Sequence, residues 1–443
     1  MGRICVQGKR ELQGEVAVQG SKNAALPIMA AALLHKGSTV LHNCPKISDV
    51  FVMEQILRQL GVVTHWEGHS LLLDCRQVCG YSIPASETEK MRASVLLAGS
   101  LLGRKKYVCM GYPGGCVIGH RPIDLHLEVF TRMGAYKDED GKQLKITADS
   151  LRGIRYRFPK VSVGATENAV LAAVAGEGWT ILENAAREPE VTALCSFLKK
   201  MGVRIENDGR GTLCILGGCL LSDVEFAIPP DRIVAGTFLL AGAAMRSRIT
   251  LLQAPSRQLN SLLTLYKKMG GQYLVSGGTL ETDSRGVRCA LPLTETGVYP
   301  GFPTDLQPLL MAVCCTLQGE SRIRENVFDN RFRVAEPLKK MGAKIKIRDT
   351  YAEVQGPAVL KGCRVKAMDL RAGAALVIAA LYAEGETIID SCEYIERGYE
   401  TLYQDINLLG GRIRKENDSI DETETTGIFE KNQTETTGWS AKE

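Results

Sequence analysis

The fourteen residues Gly111-Tyr-Pro-Gly-Gly-Cys-Val-Ile-Gly-His-Arg-Pro-Ile-Asp124 carry the plainest chemical signal in this chain. Four glycines and two prolines make the run too irregular for a strand or a packed helix, so it predicts an exposed functional loop. Cys116 stands at its centre, between Gly-Gly and a helix start near His120 and Arg121, a setting that favours the thiolate. An isolated cysteine is more often a small apolar filler, and only the loop around it raises the stakes. A second set of polar residues opens helices that are otherwise apolar: Lys22 and Asn23, Arg92, Glu167 and Asn168, Asp231 and Arg232, Asp305, Asp369 and Arg371. Arg331 and Arg397 follow strands late in the chain. Helix starts favour anions, and arginine presents a rigid fork to carboxylate or phosphate, so the set predicts an anionic ligand. A plainer alternative, strongest for Glu167 and Arg232, is that such residues pair to staple neighbouring helices.

Other chemistries find no support. All six histidines lie at or before His126, and no HxxxH or paired CxxC suggests zinc; Cys75-Arg-Gln-Val-Cys79 alone is a weak signal. Neither a P-loop nor a GxGxxG following a strand is present, so a nucleotide would be held in another way. A Ser-His-Asp centre lacks its nucleophile elbow.

The elements that must position these residues repeat six times. Leu60-Gly61, Met133-Gly134, Met201-Gly202, Met269-Gly270, Met341-Gly342 and Leu409-Gly410 each end a helix before a strand, with spacings of 73, 68, 68, 72 and 68 residues. Every repeat opens with a helix rich in small apolar residues, predicted over 21–35, 87–102, 163–176, 229–245, 303–317 and 368–383. A short strand follows, then an amphipathic helix such as Glu190–Met201, then one or two strands joined by turns such as Asp208-Gly209 and Asp140-Gly141. This pattern predicts an α/β protein with buried inner helices, sheets outside them, and amphipathic helices toward solvent. The repeats divide into two groups of three, about 21–229 and 230–416. Residues 3–19 read as two strands around Gly14 that would both complete the truncated sixth repeat.

With 45% hydrophobic residues over 443 positions the chain can bury a large core, and more than one domain is expected. The fourteen cysteines lie scattered in apolar stretches and no signal peptide precedes them, which points to the cell interior. No uncharged apolar run is long enough for a membrane span. Residues 417–443 hold seven acids against two lysines, so the rest of the chain carries roughly +9 of a formal total of +4. That excess suits a polyanionic small substrate; no basic run interleaved with aromatics suggests nucleic acid. The acidic segment, with few apolar anchors and Thr-Glu-Thr-Thr-Gly twice, is expected to be a disordered tail. Ile428, Phe429 and Trp439 make it a candidate contact for a regulatory protein.

Longer runs carry a resemblance. Gly20-Ser-Lys-Asn-Ala-Ala-Leu-Pro27, Met91-Arg-Ala-Ser94, Pro113-Gly-Gly-Cys116 with Arg121-Pro-Ile-Asp-Leu125, Gly164-Ala-Thr-Glu167, Pro230-Asp-Arg-Ile233, Pro300-Gly-Phe-Pro-Thr-Asp305, Asp369-Leu-Arg-Ala372 and Arg397-Gly-Tyr399 stand in order along the chain. Over about residues 3–416 the sequence resembles the UDP-N-acetylglucosamine 1-carboxyvinyltransferases, of the enolpyruvyl transferase family. The resemblance implies an inside-out αβ barrel fold of the EPSP synthase kind, with two pseudo-threefold domains: 1–20 plus 230–416, and 21–229 with a mobile loop at 111–121. It implies transfer of the enolpyruvyl group of phosphoenolpyruvate to the 3-hydroxyl of UDP-N-acetylglucosamine by addition and elimination, with phosphate released. No cofactor or metal is implied. The setting would be the cytoplasm, at the first committed step of peptidoglycan precursor synthesis, with consequences for cell shape and division, and the epoxide fosfomycin would be an inhibitor.

Carried onto this chain, Lys22, Arg92, Arg121 and Arg397 would clamp phosphoenolpyruvate, Cys116 would assist protonation or product release, and Asp305 would be the base. Catalysis would fall to Cys116, Asp305, Lys22 and Arg397. UDP-N-acetylglucosamine would meet Asn23, Arg92, Arg121, Pro122, Ile123, Asp124, Leu125, Lys160, Ser162, Val163, Gly164, Asp305, Val327 and Phe328. Asp231, Arg232, Arg331, Asp369 and Arg371 would support the cleft from behind. Val234, Asp329 and Arg333 depart from the usual family pattern. The 3-phosphoshikimate 1-carboxyvinyltransferases share the architecture and donor, but the Pro113–Cys116 loop and Arg121–Leu125 favour the nucleotide sugar. A non-catalytic sensor of that sugar would not need Lys22, Cys116, Asp305 and Arg397 together.

Overall fold

The computed structural model describes residues 2–114, 119, 122–139 and 143–416. The loop centre with Cys116 and Arg121, the turn at Asp140-Gly141 and the tail 417–443 lie outside the described residues.

The six repeated dipeptides have one physical cause. Gly61, Gly134, Gly202, Gly270, Gly342 and Gly410 all take φ between 97° and 108°, a conformation open chiefly to glycine. Each donates its N–H back into the last turn, as Gly61 does to the Arg58 carbonyl at 2.9 Å, while the next residue reaches one turn deeper, as Val62 does to Leu57 at 3.0 Å. These are six copies of one helix cap, and each turns the chain from an outer helix into a strand.

Inner helices run Lys22–Ala32, Leu96–Lys105, Val163–Val174, Arg232–Met245, Gln307–Cys314 and Leu370–Tyr382. Their small side chains let the backbones approach: a Cβ on Gly99 would lie 2.7 Å from the Asn168 carbonyl, and Gly99 N donates to Asn168 Oδ1 at 2.9 Å. The helix expected over 87–102 is broken. Met91 is extended, and the Thr88 carbonyl accepts from Gly114 N at 3.0 Å and from Ser94 Oγ at 3.3 Å instead of closing a helical turn. That break presents Arg92 at the head of the short turn Arg92–Val95.

Among the described residues the strands form six four-stranded sheets, each a parallel edge pair continued by two antiparallel strands. In four sheets the parallel partners flank an inner helix of the same stretch of chain, as Arg155–Arg157 and Trp179–Glu183 flank Val163–Val174. The other two exchange partners: Gln13–Ala17 pairs with Arg248–Leu252, and Val224–Ala227 pairs with Ser38–His42. This corrects the expectation for residues 3–19. Only Arg3–Gln7 completes the sixth repeat, between Glu386–Asp390 and Arg412–Glu416; the second strand joins the fourth repeat, and Gly14 lies inside it. The reason is connectivity, since the sixth repeat already owns its parallel strand Arg364–Lys366 and lacks only one partner.

Buried apolar side chains fall into two clusters, one from residues 24–228 and one from 4–18 with 233–413. Two strand-to-helix crossings pass between them side by side. Ser21 N donates to the Pro229 carbonyl at 2.8 Å and Asp231 N to that of Gln19 at 2.9 Å, so the helices beginning at Lys22 and Arg232 start from one junction. Among the described residues no helix is long and apolar enough to cross a membrane.

Candidate active site

A cleft of about 510 Å³ opens beside this junction, a volume suited to a ligand of several rings or groups. Of the residues singled out from sequence it is lined by Lys22, Asn23, Arg92, Pro122, Asp124, Leu125, Lys160, Ser162, Val163, Gly164, Glu167, Arg232, Asp305, Val327, Phe328, Arg331, Asp369, Arg371 and Arg397. Ile123 instead packs into the first apolar cluster. Asp231 lies beneath the surface, where it accepts from Ile233 N at 2.7 Å, Val234 N at 3.2 Å and Lys22 N at 3.2 Å. It caps one inner helix and ties down the start of the other.

The acidic centre is Asp305, on a short turn ahead of Gln307–Cys314. Arg331 Nη2 donates to its Oδ1 at 2.6 Å and Arg371 Nη2 to its Oδ2 at 3.1 Å. Burial works to raise the Asp305 carboxyl, but Arg371, Arg331 and Lys22 outweigh it and hold it well below the ordinary carboxylate range. Arg371 is itself braced: Nη1 donates to Tyr399 Oη at 3.2 Å, and that hydroxyl lies 2.8 Å from Thr237 Oγ1. Asp369 caps the helix that carries Arg371, accepting from Arg371 N and Ala372 N at 2.9 Å.

A second carboxylate holds the cations. Lys22 Nζ donates to Asp49 Oδ2 at 3.0 Å and Arg397 Nε to Asp49 Oδ1 at 2.8 Å. Arg92 ties the two flanks of the irregular loop, donating to the Pro113 carbonyl at 3.4 Å and the Pro122 carbonyl at 3.2 Å. Across the cleft Gly119 approaches Asp329, whose amide nitrogen would lie 3.3 Å from a Cβ there.

Another wall of the cleft is built from helix starts. Ser162 caps Val163–Val174 through Ala165 N at 3.4 Å. Gly164 faces the His126 ring, which would meet a Cβ at 3.2 Å, and His126 Nδ1 lies 2.8 Å from Asn168 Nδ2. Opposite, Val327 N and Phe328 N donate to Glu325 Oε1 at 2.8 and 3.2 Å, so two apolar side chains reach the cleft from an anchored turn.

The ion pair of Arg232 is with Glu190, at 3.2 Å, not with Glu167. Glu188 accepts from Tyr299 N at 3.1 Å, a bond between the two clusters' chain segments. Burial raises the Glu167 carboxyl well above its ordinary value, with Glu190 and Glu188 adding to the shift, and burial likewise raises Glu188. Among the lining residues that sequence reasoning missed are Asp49, Glu188, Glu190 and Tyr299. For Asp49 the only signal was an acid in the first turn of an outer helix, which ordinarily needs no further account.

The chain matches the EPSP synthase (3-phosphoshikimate 1-carboxyvinyltransferase) family over residues 6–423. It is 41% identical over 413 residues to UDP-N-acetylglucosamine 1-carboxyvinyltransferase 2 of Caldanaerobacter subterraneus subsp. tengcongensis, covering 93% of this chain and 99% of that protein. To UDP-N-acetylglucosamine 1-carboxyvinyltransferase 1 of Symbiobacterium thermophilum it is 42% identical over 419 residues, covering 93% and 95%. Among solved structures, the enolpyruvyl transferase NikO from Streptomyces tendae superposes with a TM-score of 0.85 at 25% identity, over 94% of this chain and 99% of that one. EPSP synthase from Acinetobacter baumannii shares the inside-out αβ fold, with a TM-score of 0.74 at 18% identity over 94% and 100%.

Proposed function

Because the chain belongs to the EPSP synthase family of enolpyruvyl transferases, we propose that it moves the enolpyruvyl group of phosphoenolpyruvate onto the 3-hydroxyl of UDP-N-acetylglucosamine. The observation that carries this reading is one cleft holding Lys22, Arg92 and Arg397 together with an ionised Asp305. A small trianion needs several cations, and an alcohol needs an acceptor for its proton.

Lys22, Arg92, Arg397 and Arg121 neutralise the phosphate and carboxylate of phosphoenolpyruvate. The sugar 3-oxygen bonds to the enol carbon as a proton reaches the methylene carbon, giving a tetrahedral phospho-lactyl adduct. Loss of a methyl proton and rupture of the carbon–oxygen bond to phosphate then yield the enolpyruvyl ether and phosphate. Cys116 assists protonation or product release. Asp305, a weak base between two guanidiniums, orients the hydroxyl and takes its proton only as the new bond forms. Asn23 orients the sugar, and Pro122, Asp124, Leu125, Lys160, Ser162, Val163 and Gly164 with Val327 and Phe328 hold the uridine diphosphate side.

On this reading the protein works in the cytoplasm on peptidoglycan precursors, feeds wall growth and division, and is open to fosfomycin. Calorimetric titration with UDP-N-acetylglucosamine, then with phosphoenolpyruvate, tests the binding half: both should bind in the cleft, and Lys22→Ala should weaken the second. No heat with the nucleotide sugar would remove the proposed acceptor.

A further inference from the structure

Asp49 stands in the first turn of the outer helix Ser48–Gln59, yet it is only 3% exposed and both oxygens are engaged. The Lys22 ammonium lies 3.0 Å from Oδ2 and the Arg397 guanidinium 2.8 Å from Oδ1. Lys22 opens an inner helix packed in the first apolar cluster, whereas Arg397 closes the turn Cys392–Arg397 of the second. The same junction is fastened by Ser48 Oγ donating to the Glu396 carbonyl at 3.2 Å, Lys46 N to Glu400 Oε2 at 3.0 Å and Gln19 Nε2 to the Gly398 carbonyl at 3.3 Å. Burial works to raise the Asp49 carboxyl, but Lys22 and Arg397 prevail and keep it ionised. Both cations border the cleft with Asp49 between them.

We propose that Asp49 is a positioning residue, which holds the Lys22 ammonium and the Arg397 guanidinium at one fixed spacing across the junction for the anionic donor. The role rests on the enolpyruvyl transfer proposed above. It separates two effects that usually travel together. As a third charge in the group, Asp49 opposes an incoming anion and so weakens binding in the ground state. As a brace, it fixes the geometry in which both cations act on the reacting phosphate, where small misplacements are costly.

Asp49→Asn keeps the shape and removes the charge. In the full-length protein it is expected to bind inorganic phosphate as tightly as the parent or tighter, by calorimetry, while kcat falls by about tenfold or more. Asp49→Glu, which restores the charge on a longer arm, should return phosphate affinity to the parent value and recover part of kcat. A residue that only supported the fold would lower affinity, kcat and melting temperature together. The proposal is overturned if kcat of Asp49→Asn stays within about threefold of the parent, or if its phosphate affinity falls in step with kcat. If the parent itself shows no turnover, the reaction assigned above fails by itself. The phosphate titration then tests Asp49 alone: equal or tighter binding by the Asn variant is the result expected of a third charge held between two cations, and binding about tenfold weaker overturns the proposal.

Discussion

Arg331, its side chain 2% exposed, directs Nη2 at Asp305 Oδ1 from 2.6 Å. The pair makes Asp305 a carboxylate whose charge is secure and whose basicity is low. If Asp305 orients the acceptor hydroxyl and receives its proton late, Asp305→Asn should lower kcat by about 10²–10⁴-fold while binding of the nucleotide sugar changes little. Steady-state rates and calorimetry on one preparation check the split.

The sign of a pH effect follows from the same pair. Asp305 acts ionised, and removing one cation from its side raises its proton affinity. Arg331→Met should therefore move the acid limb of kcat/KM to higher pH, and an unshifted limb would mean that another group sets it.

Glu167 offers a stability test. Its buried carboxyl titrates well above its ordinary value. Below the ordinary value both folded and unfolded chains hold the proton, and no penalty exists. As pH rises, the unfolded chain ionises first, so the native state loses stability through the window up to the raised value. Glu167→Gln removes that penalty. It should stabilise the protein by about 1 kcal/mol or more at pH 8 and by much less at pH 5, read as melting temperatures. A gain equal at both pH values would contradict the assignment.

Selective alkylation should reveal the loop thiol. Burial pushes the thiols of Cys44, Cys75, Cys195 and Cys314 up to about 12, which leaves them poor nucleophiles. On the proposed reading fosfomycin should add once to the parent, at the loop, and Cys116→Ala should take up none by intact mass. An adduct of unchanged mass in the variant would move the reactive thiol elsewhere.

The sixth sheet is closed by Arg412–Glu416, and Arg3 Nε donates to Glu416 Oε2 at 2.9 Å. Truncation after Asp418 should leave melting temperature and turnover unchanged. A fall in either would give the acidic segment a part in the fold or the site.

Much of this was legible because it is local. The six glycine caps state the repeat directly, and polar groups at apolar helix starts mark a shared cleft. The exchange of Gln13–Ala17 and Val224–Ala227 between sheets was not legible, since both strands have ordinary composition and only the crossing at Gly20 and Pro230 decides their partners. Asp49 was hidden for a similar reason: an acid at a helix start is explained locally, and its partner Arg397 lies 348 positions away. The expected continuous helix over 87–102 failed where Gly114 and Ser94 both donate to the Thr88 carbonyl, contacts without periodicity.

Transfer to a nucleotide sugar can be followed directly in one assay. Purified protein is mixed with phosphoenolpyruvate and UDP-N-acetylglucosamine, or with shikimate 3-phosphate in its place, while phosphate release and product mass are followed. Phosphate should appear in step with an enolpyruvyl ether of UDP-N-acetylglucosamine, and none should appear with shikimate 3-phosphate. Turnover only with shikimate 3-phosphate, or nucleotide-sugar binding without any phosphate release, would contradict transfer to the nucleotide sugar.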